Sequence, residues 1–104
     1  MKDWIWLGRQ QHSFDDKRVT FSLATYLPES KVLVSTVGFP IGMFNEGFET
    51  YVFQCTGQWN DLGYPTWLNP AELEEQRYYT SKDATEGHMA LCRKYEAEPH
   101  EIRL

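Results

Sequence analysis

Val19-Thr20-Phe21-Ser22-Leu23-Ala24-Thr25-Tyr26-Leu27-Pro28-Glu29-Ser30, followed by Val32-Leu33-Val34-Ser35-Thr36-Val37, carries the clearest period-two pattern in this chain. From Val19 the odd positions Val19, Phe21, Leu23, Thr25 and Leu27 form a mostly apolar face. The even positions Thr20, Ser22, Ala24 and Tyr26 form a face of small or polar residues. A period of two with one apolar face is what a half-buried strand requires. Pro28-Glu29-Ser30 supplies turn formers. The second run is short, β-branched and apolar on both faces, which places it centrally in a sheet. So short a connection joins antiparallel neighbours, and the two runs read as a hairpin.

Towards the N-terminus, Trp4-Ile5-Trp6-Leu7 is aromatic and β-branched, a strand or extended arm ending at Gly8; Gln10 to Asp16 is polar and loop-like. Towards the C-terminus, Gly38 to Gly47 is a glycine-rich loop whose Phe39, Ile41, Met43 and Phe44 are expected to cover apolar surface. Phe48 to Thr56 is a third strand. Its Glu49, Tyr51, Phe53 and Cys55 share one face, and Phe48, Thr50, Val52 and Gln54 share the other. Gly57 to Pro70 is a turn-rich excursion carrying Trp59, Tyr64 and Trp67. Asn69 as N-cap and Pro70 at the first helical position predict a short helix there, and Arg77 to Thr80 a short final strand. The last element is a helix capped by Thr80, with Asp83 in capping-box position. Ala84, His88, Leu91, Cys92 and Tyr95 fall on one helical stripe, while Lys82, Glu86, Arg93, Glu96 and Glu98 lie mainly on the rest. Pro99 ends it, and the tail from His100 to Leu104 is expected to fray. The expected architecture is one α+β domain over residues 1–104, a mostly antiparallel sheet with one C-terminal helix packed on one face, in two layers.

Composition limits the function. The chain has 104 residues, is 41% hydrophobic, 15% aromatic and 24% charged, and has four Trp, six Tyr and six Phe. That is one globular domain with aromatic side chains enough for a core; a disordered chain, a collagen and a coiled coil are excluded. The net charge is −5, and its ten basic residues never run longer than the pairs Lys17-Arg18 and Arg93-Lys94. A nucleic-acid binder needs clustered cations to displace counterions, so direct binding to nucleic acid is not expected. An acidic surface suits a basic protein partner, including one that itself binds nucleic acid, and suits plain solubility equally. Cys55 and Cys92 have no CxxC spacing, the polar N-terminus does not resemble a signal peptide, and no apolar run is long enough to cross a bilayer. A cytosolic protein with two reduced core thiols is the expectation.

Three blocks of the chain resemble a family of small, mostly uncharacterised proteins encoded by bacteriophages and prophages. They are Val34-Ser35-Thr36-Val37, then Phe48-Glu49-Thr50-Tyr51-Val52-Phe53, then Tyr79-Thr80-Ser81-Lys82-Asp83-Ala84-Thr85-Glu86-Gly87-His88. Their order is that of the family pattern, and they cover the middle and C-terminal parts of the chain. The chain departs from the pattern at three places. The loop from Gly38 to Gly47 lacks the Asp-His pair often found there, Tyr51 stands where a methionine is usual, and the segment from Gln58 to Glu75 looks specific to this protein. The resemblance implies a phage origin and, with it, residence in a bacterial host cytoplasm.

Each candidate for chemistry has a structural counterpart. His88 on the apolar stripe can bind a metal or act as a base, or it can lock the helix to the sheet by bonding a strand carbonyl, Thr50 or Tyr51. Gly87 beside it favours the second role, since a missing side chain lets helix and strands approach. Glu49 in a strand can serve as a base or ligand beside His88, or sit on a wet face paired with Arg18 or Arg77. One carboxylate and one histidine are too few for a zinc site, so no metal or other cofactor is expected. Cys92 one turn from His88 can form a nucleophile pair, or stay protonated in the core. The glycine-rich loop lacks the Gly-Lys-Ser/Thr of a P-loop. Trp59, Tyr64 and Trp67, with Glu72, Glu74 and Glu75 following, are the candidate partner-binding residues. Trp and Tyr on turns are typical interface anchors, although both Trp can instead cap the sheet. The function expected is therefore non-enzymatic: a small phage-type accessory protein that binds and inhibits a bacterial host or defence protein, as anti-CRISPR proteins do. A small enzyme or ligand-binding protein using Glu49 and His88 is the alternative, and an unpaired sheet edge leaves room for a homodimer.

Overall fold

The hairpin at the centre of the chain seeds a five-stranded antiparallel meander in the order β1-β2-β3-β4-β5. The computed structural model describes residues 4–7, 21–39 and 47–97. The strands are β1 (Ile5–Trp6), β2 (Phe21–Leu27), β3 (Val32–Phe39), β4 (Gly47–Trp59) and β5 (Pro65–Tyr78), and one helix follows, α1 (Ser81–Ala97). The α+β architecture read from the sequence is the one observed. Val19, Thr20, the polar loop from Gln10 to Asp16, most of the Gly38–Gly47 loop, Pro99 and the tail lie outside the described residues.

The β2–β3 register sets Thr25 opposite Val34 and Leu27 opposite Val32, and β3 in turn sets Val34 opposite Val52 and Thr36 opposite Thr50. These residues face the helix. Leu27, Val32, Val34 and Val52 pack there with Leu91, Cys92 and Tyr95, and Trp4, just before β1, closes the cluster. A second cluster, Ala24, Tyr26, Leu33 and Cys55 with Leu7 and Phe53, occupies the far face. Both faces of β2 and β3 are thus buried, although the even positions of β2 look polar in sequence. The β2–β3 turn is held from β4: the Gln54 amide donates to the Lys31 carbonyl at 2.8 Å and to the Ser30 carbonyl at 3.1 Å.

The excursion after Gly57 is not a loop with a short helix. β4 runs on to Trp59 and β5 begins at Pro65, so the two form a long hairpin. Its turn is built on Asn60, whose side-chain oxygen accepts from the Leu62 and Tyr64 amides at 2.9 and 3.0 Å. Gly63 takes the positive φ of 83° that the reversal needs. Asn69 and Pro70, which in sequence resemble a helix start, lie in edge strand β5 where the register slips between the Phe53–Glu72 and Cys55–Trp67 pairs. A proline is tolerated on an edge strand at such an irregularity because no neighbour needs its amide.

Helix α1 starts as its sequence indicates, with the Asp83 amide donating to Thr80 Oγ1 at 3.0 Å. All five stripe residues, Ala84, His88, Leu91, Cys92 and Tyr95, are buried. At Gly87 the Tyr78 ring packs directly against the helix, since a Cβ there would collide with the tip of that ring. Gly87→Ala is therefore expected to cost about 1–3 kcal/mol through overpacking. In a Tyr78→Ala background the same change should cost nothing or stabilise by up to about 1 kcal/mol, because alanine is the better helix former. Urea denaturation of the four proteins reads this sign reversal. An equal cost in both backgrounds would show that Tyr78 is not the obstacle.

Candidate functional site

On the helix side the sheet presents a row of threonine hydroxyls, and His88 descends into it from α1. Thr25 Oγ1 lies 2.8 Å from His88 Nε2, Thr36 Oγ1 lies 2.8 Å from Nδ1, and Thr36 Oγ1 continues to Thr50 Oγ1 at 2.6 Å. A neutral imidazole offers one donor and one acceptor, and hydroxyls serve either way, so both ring nitrogens are satisfied in either tautomer. Trp6 lies over the ring with centroids 6.5 Å apart. All three threonines and the histidine are fully buried. Burial holds His88 down to about 4, so the ring is neutral at physiological pH.

The strand residues that bond His88 are Thr25 and Thr36, with Thr50 one step further; Tyr51 points to the other face. Glu49 does as well: its carboxylate accepts from the Tyr51 hydroxyl at 2.8 Å and from Arg77 Nη2 at 2.6 Å. Glu49 is buried on a central strand and not on a wet face, but the pairing with Arg77 is realised. A joint site of Glu49 and His88 is not, because successive strand residues point to opposite faces and Glu49 adjoins Thr50. Cys92 is pushed up to about 12 by burial, against the opposing pull of a hydrogen bond with Thr25, and Cys55 is likewise pushed up to about 12. Both are free thiols, protonated and unreactive at neutral pH. Among the described residues no group of three or more His, Cys, Asp or Glu could hold a metal ion.

The far face carries a ladder of aromatic rings. Trp67 stacks on Phe53 with centroids 4.5 Å apart and planes within 10°; Phe53 in turn lies 6.0 Å from Tyr51, with planes within 12°. Trp59 sits edge-on against Tyr26 at 5.2 Å. Trp59 and Trp67 are nevertheless 42% and 49% exposed, so each is seated at one side and open at the other. Tyr64 lies half-buried in the β4–β5 turn. Tyr51, Phe53 and Arg77 escaped the sequence reading as site residues. The period-two alternation of β4 put Tyr51 and Phe53 on one face, but nothing in sequence paired that face with Trp67.

The three glutamates of β5 separate. Glu75 pairs with Tyr51 and Glu72 with Phe53 in the register, so both join the aromatic face. The Tyr51 hydroxyl is pushed up to about 12, by burial first, then by its bond to Glu49 and by the charges of Glu49, Glu75 and Glu72. Glu74 turns to the helix instead. It accepts from Lys94 Nζ and the Tyr95 hydroxyl, each at 2.8 Å, and from the Gln76 amide at 2.7 Å. These bonds, Lys94 foremost, hold its carboxyl down to about 2. Glu74 is a latch between β5 and α1 and stands apart from the surface bearing the tryptophans.

No family model, curated protein or solved structure matches the chain. No helix among the described residues is long and apolar enough to cross a membrane.

Proposed function

We propose that the chain is a phage-type accessory protein that works by binding a bacterial protein, inhibiting a host or defence component in the host cytoplasm as anti-CRISPR proteins do. The observation that carries the binding reading is the pair of half-exposed tryptophans, Trp59 and Trp67, fixed by ring contacts on the β4–β5 hairpin. A large aromatic side chain held rigid before it meets its partner loses little entropy on binding and makes an effective anchor. On the helix side Trp6 is likewise exposed, at 53%, where it lies over His88, but the far face carries two such tryptophans with Phe53 and Tyr51 beside them. Strand β5, at the sheet edge, carries Glu72, Glu74 and Glu75, and such charge discourages edge-to-edge pairing with a second copy. The phage assignment and the inhibitory role rest on the sequence resemblance and the acidity of the chain.

The test is capture of a partner from bacterial lysate, followed by binding kinetics on folded variants. Trp59→Ser and Trp67→Ser are each expected to cost about 2 kcal/mol or more, roughly thirtyfold in Kd. Glu72→Lys and Glu75→Lys should slow association and flatten its salt dependence. Glu74→Lys should chiefly lower the melting temperature, because it breaks the latch to Lys94 and Tyr95. Capture that is indifferent to both tryptophans would refute the assignment of this surface.

A further inference from the structure

Building on that reading, we infer that the aromatic face is a receptor for arginine side chains, and that the partner engages it with an exposed arginine-bearing segment. Three observations converge. First, Trp67, Phe53 and Tyr51 form a run of nearly parallel rings, and the guanidinium group is the cation that stacks flat on such rings. Second, the carboxylates of Glu72 and Glu75 stand beside that run, opposite Phe53 and Tyr51, and form no ion pair with any described residue. A stacked guanidinium has its N–H groups at the ring edge, where carboxylates accept them as charge-assisted hydrogen bonds. Third, the face already holds one guanidinium against a carboxylate: Arg77 donates to Glu49 at 2.6 Å, and Glu49 also accepts from the Tyr51 hydroxyl at the end of the ring run. An incoming arginine would repeat that carboxylate contact further along the ladder, against Glu72, and add a ring contact with Trp67. Lysine suits the surface less well, since its compact ammonium is strongly hydrated and cannot form a planar fork. The net charge of −5 favours the same encounter at longer range.

The experiment uses the whole chain and two labelled peptides of equal length and charge, one arginine-rich and one lysine-rich, followed by fluorescence anisotropy at several salt concentrations. The arginine peptide is expected to bind several-fold more tightly than the lysine peptide. Trp67→Leu should weaken the arginine peptide about tenfold or more and largely erase the difference between the two. Glu72→Gln with Glu75→Gln should weaken both peptides and reduce the salt dependence. Each variant's circular dichroism melt confirms that it is folded. Equal binding of the two peptides, or arginine binding unchanged by Trp67→Leu, overturns the inference, as does failure of the arginine peptide to bind. A lysate partner whose capture depends on Trp59 and Trp67 but is not displaced by the arginine peptide would refute the arginine receptor while leaving the binding surface standing. Loss of both dependences would refute the two together.

Discussion

The His88→Ala variant is expected to lose roughly 3–5 kcal/mol of stability at neutral pH. The change empties a fully buried site and strips Thr25 and Thr36 of their partner in a region water does not reach. Thr36→Val should cost about 2 kcal/mol by a different route, removing the hydroxyl that joins Thr50 to the ring. The same site makes stability depend on pH with a definite sign. Unfolded, His88 titrates near 6.5; folded, it is held at about 4. Between these values the unfolded chain binds a proton that the native state refuses. Stability is therefore greatest above the unfolded value and falls as pH drops towards the folded one, by ~3 kcal/mol in all. Glu74 adds its own loss mainly below about pH 5, as its carboxyl protonates in the unfolded chain around 4.5. Chemical denaturation at about pH 7 and about pH 5 isolates the histidine, provided the wild type is compared with His88→Gln. The wild type should lose more stability on acidification. Equal losses would mean that His88 titrates normally in the native state.

Leu91→Ala is the second large effect. Leu91 is buried among Leu27, Val32, Val34 and Val52 from three strands, with Cys92 and Tyr95 beside it. Its removal should cost about 2–4 kcal/mol, a fall in melting temperature on the order of 10–20 °C for a domain of this size. Glu86→Ala, on the exposed side of the same helix, should stay within about 0.5 kcal/mol of wild type. Calorimetric scans of the two variants decide the rotation of the helix, and comparable midpoints would contradict it.

Much of this was legible because local and tertiary preferences agree. The β2–β3 hairpin has one-sided alternation, turn residues and β-branched pairs, and the helix stripe has its cap and its period. Gly87 announced a close approach, which Tyr78 makes. The failures share a cause. Strand β5 contains two prolines and three glutamates, all poor strand formers, and it is extended because β4 continues to Trp59 and pairs with it. Its irregularities then scramble the parity on which face assignments depend. Glu72 and Glu75 lie three apart yet share a face, because the register slips by one residue at Leu73. Glu74, between them in sequence, faces the helix. The separation of Glu49 from His88 was hidden for another reason. Alternation in β4 assigned Glu49 and Thr50 to opposite faces, but no local pattern says which face the helix covers.

If the helix face holds the fold and the tryptophan face holds the partner, thermal stability and affinity for the captured partner, determined together for Trp67→Leu and Leu91→Ala, must separate. Trp67→Leu should lose about tenfold or more in affinity while melting within a few degrees of wild type. Leu91→Ala should melt far lower yet bind with unchanged affinity at temperatures where it remains folded. If Trp67→Leu unfolds, or binds the partner as well as the wild type does, the tryptophan face belongs to the core and the partner docks elsewhere.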